Sequence, residues 1–177
     1  MASKKTDQEL PDTIEDSSSS GTTPRPWKVL IIDDDEAIHH LTRATLAGMT
    51  FKNAPIEAIS VYSEDGAKQA LKESDEIAMS LIDIVMEENN SGLNLVRYIR
   101  NTLQNKWMQI VLFTGKSDRM CETDAILEFE INDYRTKDEL TAQRLVSVVA
   151  ASLRAFSLNQ QLKAANEEIE YQVQQRT

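Results

Sequence analysis

Five short apolar runs, each followed by a helical pattern, restrict this chain to very few folds. The runs are "WKVLII" (Trp27–Ile32), "IEAISVYS" (Ile56–Ser63), Ile77–Ile84, "MQIVLFTG" (Met108–Gly115) and the shorter, more polar "EINDYRT" (Glu130–Thr136). Their length, β-branched residues and bounding turn residues predict strands. The intervening segments are long enough to be crossovers. Strand and helix in strict alternation predict an α/β fold with a parallel sheet covered by helices on both faces. Runs such as "WKVLII" and "IVLF" suit strands buried on both sides. In such sheets the ligand site lies beyond the carboxyl ends of the strands.

The helices carry their own signals. Ile38, Leu41, Leu46 and Met49 recur at near-helical spacing and close near Gly48. Ser63 stands where an N-cap belongs before "EDGAKQALKES", whose apolar face is Ala67, Ala70 and Leu71. Leu93, Val96, Ile99 and Leu103 form one stripe along "GLNLVRYIRNTLQ". A weaker helix is expected over "SDRMCETDAILEF", and a long one from about Asp138 to the last residue.

Composition narrows the function classes. The 177 residues, 41% hydrophobic, suffice for one domain with a core plus extra segments. A net charge of −10 disfavours nucleic acid and anionic membrane surfaces as partners. The single cysteine, Cys121, allows no intrachain disulfide and is read as an inert helix residue. There is no apolar stretch near the roughly 20 residues of a membrane span. A cytoplasmic protein is expected. Residues 1–26, ending in "EDSSSSGTTPRP", have the composition of a disordered tail.

The strand ends hold the chemistry. "SLIDIVM" interrupts an apolar strand with Asp83, and buried aspartates are rare unless paired or bound. The first strand ends in Asp33, Asp34 and Asp35, the fourth in Thr114 and Gly115, and beyond the fifth lie Tyr134 and Lys137. Carboxylates brought together raise each other's pKa unless a cation compensates. Oxygen ligands from one or two carboxylates plus water and phosphate suit Mg2+. A divalent metal between Asp34 and Asp83, with Asp33 acting through water, is therefore expected. Lys137 and the Thr114 hydroxyl would complete a cage around a transferred phosphoryl group. His39 and His40, without cysteine or further histidine nearby in sequence, are read as surface positions rather than ligands. Trp107 and Met120 are read as packing residues.

Together the stretches "VLIIDDDEA", "SLIDIVM" followed by Gly92-Leu93, "VLFTGK" and "NDYRTK" resemble the receiver domain of bacterial two-component response regulators over residues 27–158. The resemblance implies a flavodoxin-like (βα)5 fold with strand order 2-1-3-4-5. It implies a histidine kinase as partner, Asp83 as phosphoacceptor, and the Val85 backbone carbonyl as a further metal ligand. It implies Lys137 and Thr114 as phosphoryl-binding groups, with Thr114 and Tyr134 as the switch pair. Two prolines usual in that family are replaced by Glu87 and Asp138, which leaves the loops after Asp83 and Lys137 less preset, the peptide isomer after Lys137 included. Val85 and Lys116 occupy positions thought to tune dephosphorylation in the family.

The long helix carries two stripes. Leu145, Val149, Leu153 and Phe156 face the core. Val148, Ala151, Ala155, Leu158, Leu162, Ala165 and Ile169 alternate by three and four, a heptad seam. Residues 159–177 are expected to be a coiled-coil linker, making a homodimer and leading to an absent output domain. Similar segments precede diguanylate cyclase or histidine kinase modules. A dimer through the fourth helix, fifth strand and fifth helix is the other arrangement that the resemblance implies. Two functions from other classes compete. One is a docking module that needs no phosphate. The other is a haloacid dehalogenase-type phosphatase with Asp33 as nucleophile and Asp35 as acid/base, which would want a second acidic cluster and a cap.

Overall fold

The computed structural model describes residues 24–74, 76–86, 91–115 and 127–176. The expectations for Glu87, Lys116, Met120, Cys121 and most of the fourth helix lie outside the described residues. So does nearly all of the N-terminal segment.

The apolar runs form one six-stranded sheet. Its strands are β1 (Trp27–Ile32), β2 (Thr50–Phe51), β3 (Ala54–Val61), β4 (Ile77–Asp83), β5 (Gln109–Thr114) and β6 (Asp133–Thr136), in the order β2-β3-β1-β4-β5-β6. From β3 to β6 the pairings are parallel and follow the expected 2-1-3-4-5 order. The addition is β2, which pairs antiparallel with β3 and makes the sheet mixed. Lys52 and Asn53, both at positive φ (49° and 62°), form the tight turn between them. The hairpin moves the start of the second parallel strand from the expected Ile56 back to Ala54. Pro55 is tolerated because only the two-residue β2 lies outside it.

Helices cover both faces. They are α1 (Glu36–Leu46), α2 (Glu64–Glu73), α3 (Ser91–Arg97) and α4 (Ala142–Arg176). Ser63 caps α2 as expected, its hydroxyl accepting from the Gly66 N–H at 3.1 Å. The helix begun by α3 widens into a π-helical turn over Tyr98–Thr102. The C-terminal helix starts later than Asp138, because Lys137–Glu139 form a 3-10 turn. The Thr141 hydroxyl accepts from the Arg144 N–H at 3.3 Å and opens α4.

Two cores result. On one face Leu30, Ile32, Ile82 and Leu112 pack with Leu93, Leu95, Val96 and Ile99. On the other, Val29, Met79, Leu81 and Val111 pack with Leu145, Val149, Leu153 and Phe156, the stripe assigned to α4 from its spacing. At the amino end of the sheet Arg100 is buried and donates to the carbonyls of Asn105, Met108 and Glu130. Burial pushes its guanidinium below its usual pKa, and the three carbonyls tie two loops to one side chain. Trp107, expected to pack, is 38% exposed at the edge of that region.

Candidate functional site

The register gathers the site at the carboxyl ends of the strands. Ile32 of β1 pairs with Ile82 of β4, so Asp33 and Asp83 come next, side by side. Asp83 pairs with Phe113 and Thr114 with Thr136, so Thr114 and Lys137 reach the same edge. The sheet places Asp33, Asp34, Asp83, Thr114 and Lys137 at one edge.

The Lys137 ammonium lies 2.7 Å from Asp83 Oδ2 and 2.9 Å from the Asp33 carboxylate. Asp83 Oδ1 accepts from the Val85 N–H at 3.2 Å. Both aspartates are buried, whereas Asp34 is exposed, and the three carboxylates come within 4.8 Å of one another. Burial raises the Asp83 pKa and Asp33 adds to the rise. The Lys137 and Val85 hydrogen bonds pull against it and do not cancel it. Burial pulls Lys137 down, but its bonds to Asp83 and Asp33 outweigh that and hold it above its ordinary value. Three carboxylates facing one ammonium leave an excess of two negative charges, the charge of one divalent cation. The all-oxygen donor set and the exposed Asp34 fit a hard, partly hydrated cation.

Neighbouring residues take distinct places. Thr114 is buried, its hydroxyl 3.2 Å from the Gly115 carbonyl. Tyr134 is half-buried against the core two residues before Thr136. The loop after Asp83 passes so close to α3 that a Cβ on Gly92 would overlap the Asp83 carbonyl oxygen, so only glycine fits there. No described peptide is cis, so the Lys137–Asp138 bond is trans. Asp35 is not a pocket acid: it caps α1, accepting from the Ala37 N–H at 2.9 Å. That removes it from the acid/base role that a dehalogenase-type phosphatase would require. Among the described residues the acidic group at Asp33 is the only one of its kind, so the second cluster of that alternative is absent there.

His39 was expected at the surface and is fully buried, its Nε2 2.8 Å from the Asp33 carbonyl oxygen. His39, Thr42 and Leu46 share the buried face of α1, but two of the three are polar and no apolar stripe marks that face in the sequence. His40, next along the helix, is exposed and 3.5 Å from Glu36.

Comparison with known proteins identifies the family. The family model for the response regulator receiver domain matches residues 29–150. A stretch of 131 residues, 74% of this chain, is 47% identical to the 3'3'-cGAMP-specific phosphodiesterase 2 of Vibrio cholerae serotype O1, covering 25% of that protein. A stretch of 134 residues, 75% of the chain, is 28% identical to the transcriptional regulatory protein GltR of Pseudomonas aeruginosa, covering 51% of it. The chain thus spans a quarter to a half of the length of these curated relatives. The crystal structure of a putative response regulator from Chloroflexus aurantiacus superposes with a TM-score of 0.61 at 25% identity, over 73% of this chain and 99% of that one. With the strand order, the acidic cluster and the bridging lysine in place, this chain belongs to the response regulator receiver domain family.

Proposed function

We propose that this chain accepts a phosphoryl group from a histidine kinase on Asp83 and relays the change through α4 to an output domain. The observation that carries the reading is the Lys137 ammonium bridging the buried Asp33 and Asp83 beside the exposed Asp34. Asp83 Oδ attacks phosphorus, the bond from phosphorus to the kinase histidine breaks, and an acyl phosphate forms. Mg2+, held by Asp34, Asp83 and the Val85 carbonyl, with Asp33 acting through water, would neutralise charge on the phosphoryl oxygens. Lys137 shifts from the Asp83 carboxylate to a phosphoryl oxygen. The Thr114 hydroxyl turns toward another, and Tyr134 rotates into the space it leaves, so added charge biases a two-state element.

The receiver is assigned to residues 27–158 and the linker to 159–177, after a tail at 1–26. The first relative named above is a cyclic-dinucleotide phosphodiesterase, so we place the output of this chain in cyclic-dinucleotide signalling in the cytoplasm. The output module is of diguanylate cyclase or histidine kinase type, the two that the linker segment resembles. Leu158, Leu162 and Ile169 on the predicted seam are 56–58% exposed, which supports a homodimer along α4. No helix among the described residues is long and apolar enough to cross a membrane.

The test is intact mass after incubation with acetyl phosphate and Mg2+. One adduct of about 80 Da, the mass of a phosphoryl group, is expected on the wild type and not on Asp83→Asn. Partner capture unaffected by Asp83→Ala, with no adduct from either acetyl phosphate or a kinase, would establish the phosphate-independent docking module instead.

A further inference from the structure

Why does a fully buried position on α1 hold an imidazole? His39 and Thr42 are both 0% exposed, one turn apart. The His39 ring lies 4.2 Å from the ring of Tyr62, just beyond β3. His39 Nδ1, Thr42 Oγ1 and Ser60 Oγ are all buried without a hydrogen-bond partner. An apolar side chain would avoid the cost of burying those atoms. What the imidazole does with its other nitrogen offsets that cost. The Asp33 carbonyl can only accept, so the His39 Nε2 that lies 2.8 Å away carries the hydrogen and donates it.

Asp33 is thereby held at each of its polar groups. Its N–H donates to the Val61 carbonyl at 3.3 Å, and its carboxylate accepts from Lys137 at 2.9 Å and from the Asp35 N–H at 2.8 Å. His39 supplies the remaining restraint, on the carbonyl. The peptide group is planar, so fixing the Asp33 oxygen also fixes the plane that leads into Asp34. Asp34 is the exposed member of the acidic group.

We propose that His39 is a positioning residue for the acidic pair: from inside the α1–β3 interface it fixes the Asp33–Asp34 peptide and so sets the Asp34 carboxylate for the cation. The proposal rests on reading this pocket as a Mg2+-dependent phosphoacceptor. Two variants of the full chain test it. Gln can place its amide N–H where Nε2 lies, whereas Leu fills the space and donates nothing. Calorimetric titration with Mg2+, without phosphodonor, is expected to show His39→Leu weakened about tenfold or more, the usual scale for losing a partner behind a metal ligand. His39→Gln is expected to remain within about threefold of wild type, and thermal unfolding in EDTA to show His39→Leu folded. A merely structural histidine would lower the unfolding temperature of both variants and leave Mg2+ affinity unchanged in whatever remains folded. Equal Mg2+ affinity in His39→Leu and wild type overturns the proposal, as does a Gln variant no better than Leu. A wild type that binds no Mg2+ overturns the phosphoacceptor reading. In that case the metal-free protein still decides the local claim: a slowly exchanging imidazole Nε2 proton in the 1H–15N spectrum supports the bond to Asp33, and a rapidly exchanging one refutes it.

Discussion

At the scale of single residues, the pocket is tuned by the conflict between burial and pairing at Asp83. Burial and the neighbouring Asp33 hold its carboxyl above the usual pKa, despite the bond from Lys137. A carboxyl that binds its proton more tightly in the folded state favours folding at acid pH. That contribution fades as pH rises from the ordinary carboxylate range through the raised value. Asp83→Asn removes the ionisation and leaves Lys137 paired with Asp33. In EDTA the variant is therefore expected to unfold at a higher temperature than wild type at neutral pH, with the gap closing on acidification. Mg2+ is expected to narrow the gap as well, because it stabilises the form with the full ligand set. Thermal scans across that pH range, with and without Mg2+, decide it, and a gap that widens in acid would contradict the assignment. Asp35 shows how position divides identical side chains. One residue beyond the pocket pair, it caps a helix and does no pocket chemistry.

At the scale of elements, the unusual part is the β2–β3 hairpin and what it grips. The Trp27 indole donates to the Phe51 carbonyl at 2.8 Å. Its ring meets Phe51 edge-on at 5.4 Å and Phe156 at 6.3 Å. In the hairpin turn, the Lys52 ammonium reaches the Ser157 hydroxyl at 2.6 Å. Both contacts fall where α4 turns from buried to exposed, so the hairpin holds the helix at the point where it leaves the domain. Phe156→Ala removes a ring that is 6% exposed and is expected to cost about 3 kcal/mol in urea unfolding. A loss under about 1 kcal/mol would show that the latch carries little of the packing.

At the scale of the whole molecule, a chain of net charge −10 must align with a second copy if α4 is a dimer seam. Of the positions flanking the seam, Asn159, Gln161 and Asn166 are uncharged and Arg154 and Glu168 carry opposite charges, so few like charges stand where the helices would meet. Placing a charge in the seam should break the contact without touching the pocket. Leu162→Glu is expected to weaken the dimer at least about tenfold by sedimentation equilibrium, since a buried unpaired carboxylate is costly. The Asp83 adduct should form at an unchanged rate. An unaltered dimer would exclude the seam and leave the other arrangement that the resemblance implies, through the helix expected over "SDRMCETDAILEF", β6 and α4.

Much of this was legible from residue order, because it depends on local periodicity and on which side chains end each strand. Apolar runs determined the parallel strands, their terminal acids marked the pocket edge, and three-and-four spacing determined the core stripe of α4. The resemblance carried the strand order. Tertiary structure decided what depends on approach between distant elements. The two-residue β2 is too short to show periodicity and exists because a positive-φ turn folds it onto β3. Helix α4 starts at Ala142 because the chain must first make the 3-10 turn that begins at Lys137. His39 is buried because α1 lies on β3 with that turn inward, a rotation that a histidine, apolar on its faces and polar at its tips, does not announce. The sequence by itself determined which chemistry stands at the sheet edge. Packing decided which buried groups hold that chemistry in place, because a hydrogen bond from one helix to another loop's carbonyl has no period to read.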